Sequence, residues 1–132
     1  MHKGILIAGG VLGFLAVILG AFGAHALKSA LDAEALKTFE TGVKYQMYHA
    51  LLLLFVGSLP ILTSGTKNTI LYLVVIGVIL FSGSIYGLAT NALTSFDFKK
   101  IGFVTPIGGT LLIISWGILI YNFIRKKAKY LN

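Results

Sequence analysis

The chain has no cysteine, only four carboxylates, and 11% charged residues in 132. Without cysteine there are no disulfides, thiolate metal sites or redox dithiols. The acids are Asp32, Glu34, Glu40 and Asp97. All four fall in polar or interfacial segments, so the paired buried acids of a proton-coupled transporter are missing. No Walker-type Gly-Lys-Ser/Thr sequence occurs, and Gly77, Gly83 and Gly87 do not follow a strand. Hydrolase, kinase and nucleotide motifs are therefore absent.

In place of charge the sequence has long apolar runs. Hydrophobic residues make up 57% of it. They gather at about 5–24, 45–62, 70–89 and 106–124. Each run can cross a hydrocarbon core of about 30 Å, which needs about 20 helical residues. A soluble core could not hide four such runs under so little polar surface. The pattern predicts an all-α chain, a four-transmembrane-helix bundle forming one membrane domain over 1–132. The first run ends in Ala24-His25-Ala26, which fits a signal-peptidase site, but it exceeds the about 7–15 residues of a signal core. It is therefore read as the first span.

The net charge of +7 could suggest nucleic acid. However, Arg125, Lys126, Lys127 and Lys129 sit together just after the last run. That placement reads as an anchor for anionic lipid headgroups, with no nucleic-acid partner. Four spans bring both termini to one side. Lys3, Lys67 and the basic cluster share it, and the positive-inside rule makes it cytoplasmic.

Between the first two runs, Leu27, Leu31, Ala35, Phe39 and Val43 recur every four residues. This predicts a short amphipathic interfacial helix between spans 1 and 2, bending at Gly42 into the second span. Glu40 and Lys44 are spaced to pair along it. Ser64-Gly65 predicts a turn between spans 2 and 3. Thr105 and Pro106 predict the cap and first position of the last helix. Gly9 with Gly13, and Gly83 with Gly87, form GxxxG pairs, and Gly20 extends the small-residue spacing on the first span. Small residues let membrane helices approach closely, within one bundle or between two copies.

Most of the polar groups in or at the ends of the spans are few enough to name: His25, Tyr45, Gln46, His49, Ser82, Ser84, Tyr86 and Thr105. Alternating helix directions put them all toward one side, the outer one, as a candidate ligand-binding cluster. The other half is mostly aliphatic and aromatic, with Trp116, Tyr72 and Tyr121 as its polar-tipped members. Tyr45 and His49 share a helix face, within reach of a phenol–imidazole hydrogen bond. Two readings of the histidines stand. In one, His25 and His49 relay protons, bind metal or ligate haem. In the other, each bonds to a neighbouring helix and holds the bundle together. The second is favoured, because usual metal sets need three or four ligands. No catalytic residue, metal or cofactor is expected.

Five blocks occur in order: Gly20-Ala-Phe-Gly-Ala-His-Ala-Leu27, Phe39-Glu-Thr-Gly-Val-Lys-Tyr-Gln-Met-Tyr-His-Ala-Leu51, Phe81-Ser-Gly-Ser-Ile-Tyr86, Thr105-Pro-Ile-Gly-Gly109 and Ser115-Trp-Gly117. Together they resemble the domain-of-unknown-function 423 family of small bacterial membrane proteins. The resemblance covers almost the whole chain. It implies a four-span protein of the bacterial cytoplasmic membrane and brings no reaction, substrate or cofactor. The expected function is a non-enzymatic bundle supporting envelope integrity or membrane-protein assembly. Its partners would be the lipid bilayer, with a second copy or other membrane proteins as further ones. The alternatives are binding or transport of a small or lipid-like ligand at the outer polar cluster, and haem or metal binding through His25 and His49.

Overall fold

The structure is a computed structural model that describes residues 3–126. Among these the chain is all-α. It has four long helices: α1 (Lys3–His25), α2 (Ala33–Ser58), α3 (Ser64–Ala89) and α4 (Val104–Arg125). Two short 3-10 turns, Asn91–Leu93 and Phe98–Ile101, lie between α3 and α4. Successive helices run antiparallel, α1 on α2, α2 on α3 and α3 on α4. α1, α3 and α4 are long and apolar enough to cross a membrane. α2 has the length, but Lys44, Gln46, His49 and the hydroxyls of Tyr45 and Tyr48 dilute its apolar run.

The segment from residue 33 to 44 is helical, yet it is not a separate interfacial helix. Asp32 caps it by accepting from the Ala35 amide at 2.8 Å, and the helix then continues unbroken to Ser58. Gly42 is not a bend. It lies where α3 presses on α2: a Cβ there would sit 2.6 Å from the Tyr86 ring. Leu27 and Leu31 of the expected stripe lie in the preceding turn, buried with Phe39 and Ala89.

α2 stops earlier than its apolar run, because Pro60 forces the preceding Leu59 out of helical geometry. Ser64 and Gly65 are not the turn. They lie in the first turn of α3, capped by Thr63, whose hydroxyl accepts from the Thr66 amide. Lys67 is buried there and donates to the Gly57 carbonyl at 3.1 Å. It thereby satisfies one of the free carbonyls at the C-terminus of α2. Likewise α4 starts at Val104, not at Pro106, and Thr105 is not its cap. Its hydroxyl bonds across to α3 instead.

Packing relies on close backbone approach. Gly9 meets the Ala50 carbonyl and Leu53, and Gly13 meets Ala50 and Met47, so this GxxxG pair joins α1 to α2 within the chain. Gly20 continues the seam against Val43. The second pair behaves otherwise. Gly83 faces open space, and Gly87 is covered by the Phe98 ring, not by a helix. The α3–α4 crossing uses Gly77 and Gly108 instead. The main core gathers Ile5, Leu53, Val56, Ile70, Val74 and Leu112 around this frame.

Of the basic cluster, Arg125 ends α4, its guanidinium 5.7 Å from the Tyr121 ring centre, and Lys126 follows it. Lys127 and Lys129 lie outside the described residues.

Candidate functional site

Seven polar side chains of the helices form a ladder of cross-helix hydrogen bonds, whereas others such as Ser115 and Asn122 bond to carbonyls of their own helix. Ser84 on α3 bonds Thr105 on α4 through their hydroxyls at 2.5 Å. Ser82 donates to the Gly42 carbonyl at 2.7 Å, tying α3 to α2. Tyr86 donates to Gln46 Oε1 at 2.7 Å, and Gln46 Nε2 donates to the Leu12 carbonyl at 2.9 Å. That relay joins α3, α2 and α1 through one amide. It also fixes which end of the amide is oxygen, because the Leu12 carbonyl can only accept.

Trp116 Nε1 on α4 donates to His49 Nε2 on α2 at 3.0 Å. An indole N–H can only donate, so Nε2 accepts and the ring proton sits on Nδ1. Nδ1 then donates to the Tyr45 carbonyl at 2.7 Å. His49 is therefore held by its own helix on one side and by α4 on the other. The phenol of Tyr45 does not set the tautomer; its backbone does. The Tyr45 ring stacks near His49 and lies edge-on to Phe81.

These groups do not lie at one depth. Gly13 packs on Ala50, next to His49, and is close to the middle of α1. The His49–Trp116 pair is thus at mid-height of the bundle. Gln46 and Gly42, which accept from Tyr86 and Ser82, lie about one and two turns nearer the start of α2, and Thr105, bonded to Ser84, lies in the first turn of α4. His25 closes α1, twelve residues beyond Gly13, about 18 Å away at 1.5 Å per residue. It is exposed and has no side-chain hydrogen bond among the described residues. So the structure does not bring His25 and His49 together. Among the described residues no three His, Cys, Asp or Glu side chains gather as a metal set. Both ring nitrogens of His49 are already engaged, so a metal there would have to displace Trp116 or the Tyr45 carbonyl.

Trp116 is the residue of this site that the sequence did not group with the polar cluster. A lone tryptophan inside an apolar helix needs an acceptor for its N–H, and that requirement was the available signal. Beside it opens a cleft of about 320 Å³, lined by Tyr45, His49, Phe81, Gly109, Leu112, Ile113 and Trp116. It is almost wholly apolar. Gln46 and Tyr86 do not line it, although the sequence grouped them with His49.

The His49–Trp116 bond should be measurable as a coupling. His49→Ala and Trp116→Phe are each expected to lower stability in detergent. A double-mutant cycle should give about 1 kcal/mol, within the range found for hydrogen bonds between membrane helices. Strictly additive effects would mean that the bond contributes nothing.

Residues 19–109 match the family model described as protein of unknown function (DUF423). The chain is 41% identical to a UPF0382 membrane protein of Staphylococcus saprophyticus, over 89% of this chain and 94% of that protein. It is 40% identical to a UPF0382 membrane protein of Haemophilus influenzae, over 88% and 90%. It is 34% identical to the UPF0382 inner membrane protein YgdD of Escherichia coli, over 95% and 92%. No solved structure matches it.

Proposed function

Because this chain belongs to the DUF423 family, we propose that it is a non-enzymatic, four-span bundle of the bacterial cytoplasmic membrane that serves membrane-protein assembly or envelope integrity. In this reading α2 is the fourth span and both termini are cytoplasmic. The observation that carries it is the ladder. Gln46, His49, Ser82, Ser84, Tyr86, Thr105 and Trp116 are each committed to a bond that joins two helices. Lipid tails compete for apolar surface as well as any helix does, so close packing and such bonds must hold the bundle. They also make α2 more acceptable to a bilayer, since Gln46 and His49 are satisfied inside the protein.

A second reading is favoured by one specific feature, the cleft beside Trp116. Its volume lies at the lower end of the range for ligand sites, about 300–1,000 Å³, and its lining suits an apolar, lipid-like molecule.

The four-span arrangement is open to a direct test, because the chain has no cysteine of its own. Single cysteines are placed at Ser29, Leu51 and Gly65 in intact cells or spheroplasts. Leu51 lies on the outer surface of α2. A membrane-impermeant maleimide should label Ser29→Cys from outside, label Gly65→Cys only after permeabilisation, and spare Leu51→Cys until denaturation. Labelling of Leu51→Cys in the intact membrane would remove α2 from the bilayer. Labelling of Gly65→Cys from outside would invert the orientation.

A further inference from the structure

Near one end of the α1–α2 seam lies a crevice of about 200 Å³. Its floor is apolar: Gly20, Gly23, Phe39 and Val43. Its rim carries two charges, Glu40 and Lys44. The sequence spacing predicts that these two pair with each other. They do not. Both are exposed, and neither has a side-chain hydrogen bond or ion pair among the described residues.

Their depth makes this consequential. With α2 in the bilayer, His49 lies near the midplane. Lys44 is five residues from it, about 7.5 Å, and Glu40 nine residues, about 13.5 Å, at 1.5 Å per residue. The hydrocarbon half-thickness is about 15 Å. A lysine at that depth, facing lipid and without a protein partner, carries its ammonium outward to the interface, where lipid phosphates lie. Helical side chains lean toward the helix N-terminus. Here that is the nearer membrane surface, so Lys44 reaches up along the crevice toward the level of Glu40.

We propose that this crevice is a binding site for a phospholipid with a primary-amine headgroup, such as phosphatidylethanolamine. The inference rests on the four-span reading above. The glycerol and headgroup lie in the crevice beside Gly20, Gly23 and Val43 with the acyl chains running from it toward the midplane, the Lys44 ammonium donates to phosphate oxygens, and the Glu40 carboxylate accepts from the headgroup ammonium. The order of charges matches the lipid. The phosphate is joined next to the acyl chains and the amine lies beyond it, as Lys44 lies deeper than Glu40. Charge complementarity selects among lipids. An anionic headgroup finds Lys44 but meets Glu40 as a like charge, and a quaternary ammonium cannot donate a hydrogen bond to Glu40. Gly20 matters because a longer side chain there would extend past Val43 into the crevice.

The test is native mass spectrometry of the full chain in micelles. The micelles carry equal amounts of phosphatidylethanolamine, phosphatidylglycerol and phosphatidylcholine with the same acyl chains. The wild type should retain the ethanolamine lipid over each of the others by about fivefold, the effect of one headgroup charge contact. Glu40→Gln should bring that preference close to unity while keeping binding. Lys44→Met should lower retention of all three lipids, and Gly20→Leu should do the same by filling the crevice. Exchanging the charges, with Glu40→Lys and Lys44→Glu together, keeps the net charge and should abolish the preference. Glu40 and Lys44 are exposed, so unchanged melting temperatures verify that these variants fold. Equal retention of the three lipids by the wild type would overturn the proposal, as would a preference for phosphatidylglycerol. So would an ethanolamine preference that survives both Glu40→Gln and Lys44→Met. Failure of the four-span reading is separately visible, since it would appear as labelling of Leu51→Cys.

Discussion

Gly108→Val is expected to abolish the folded bundle. At Gly108 the α3 and α4 backbones touch: a Cβ there would clash with the Phe81 backbone nitrogen and lie 2.8 Å from the Leu80 carbonyl carbon and 2.9 Å from the Gly77 carbonyl oxygen. All three are backbone atoms of a helix, so no rotamer change relieves the contact. The helices must separate, and separation also pulls on the Ser84–Thr105 and His49–Trp116 bonds. Overpacking commonly costs about 1–3 kcal/mol and more when nothing can yield, so a loss of about 3 kcal/mol or more is expected. Thermal unfolding in detergent, read by circular dichroism or by size-exclusion survival, gives the answer. Two controls set the scale. Gly109→Ala meets only the edge of the Phe81 ring at 3.4 Å and should cost little. Gly83→Ala faces open space and should be neutral or slightly stabilising, since alanine favours helix by about 1 kcal/mol. A Gly108→Val protein as stable as the wild type would show that α3 and α4 do not cross here.

Gln46→Leu is expected to have the next largest effect, about 2 kcal/mol. The substitution keeps much of the volume and apolar character, so its cost lies in the hydrogen bonds. It removes the bond to the Leu12 carbonyl and strips Tyr86 of its acceptor. Hydrogen bonds between membrane helices average about 0.6 kcal/mol and reach about 1.7. Leaving a buried hydroxyl without a partner costs about 1–3 kcal/mol. The relay makes the prediction specific. Tyr86→Phe should cost less, because Gln46 keeps Leu12. Adding Tyr86→Phe to Gln46→Leu should recover part of the loss, because it removes the stranded hydroxyl. If the double variant were less stable than Gln46→Leu by the full cost of Tyr86→Phe, the two side chains would not be coupled.

The four helices were legible in the apolar runs, since runs of that length have few other solutions. Their ends were less so. Pro60 ends α2 early and Thr63 starts α3 early, because local backbone geometry, not hydropathy, sets helix termini. The segment before Lys44 was correctly helical. Its glycine marked a close approach by Tyr86 of α3 and not a bend, a tertiary contact with no local trace. The polar residues were readily singled out because each is costly in a bilayer, but their partners were not. Gln46 reaches a backbone carbonyl in α1, and backbone acceptors are invisible in a sequence. His49 and Trp116 are 67 residues apart, and only the register of α2 against α4 brings them together. The spread of these groups in depth was hidden for the same reason: packing of Gly13 on Ala50 places His49 at mid-height and leaves His25 a helix-end away.

The central claim is that the polar side chains hold helices together and do not serve a bound molecule. The most direct measurement combines native mass spectrometry of gently extracted protein with thermal unfolding of the same samples, for the wild type, His49→Ala and Trp116→Phe. Both substitutions are expected to lower the melting temperature, and none of the three proteins is expected to carry a stoichiometric non-lipid molecule. A small molecule retained by the wild type, and lost from either variant with no change in melting temperature, would contradict the claim.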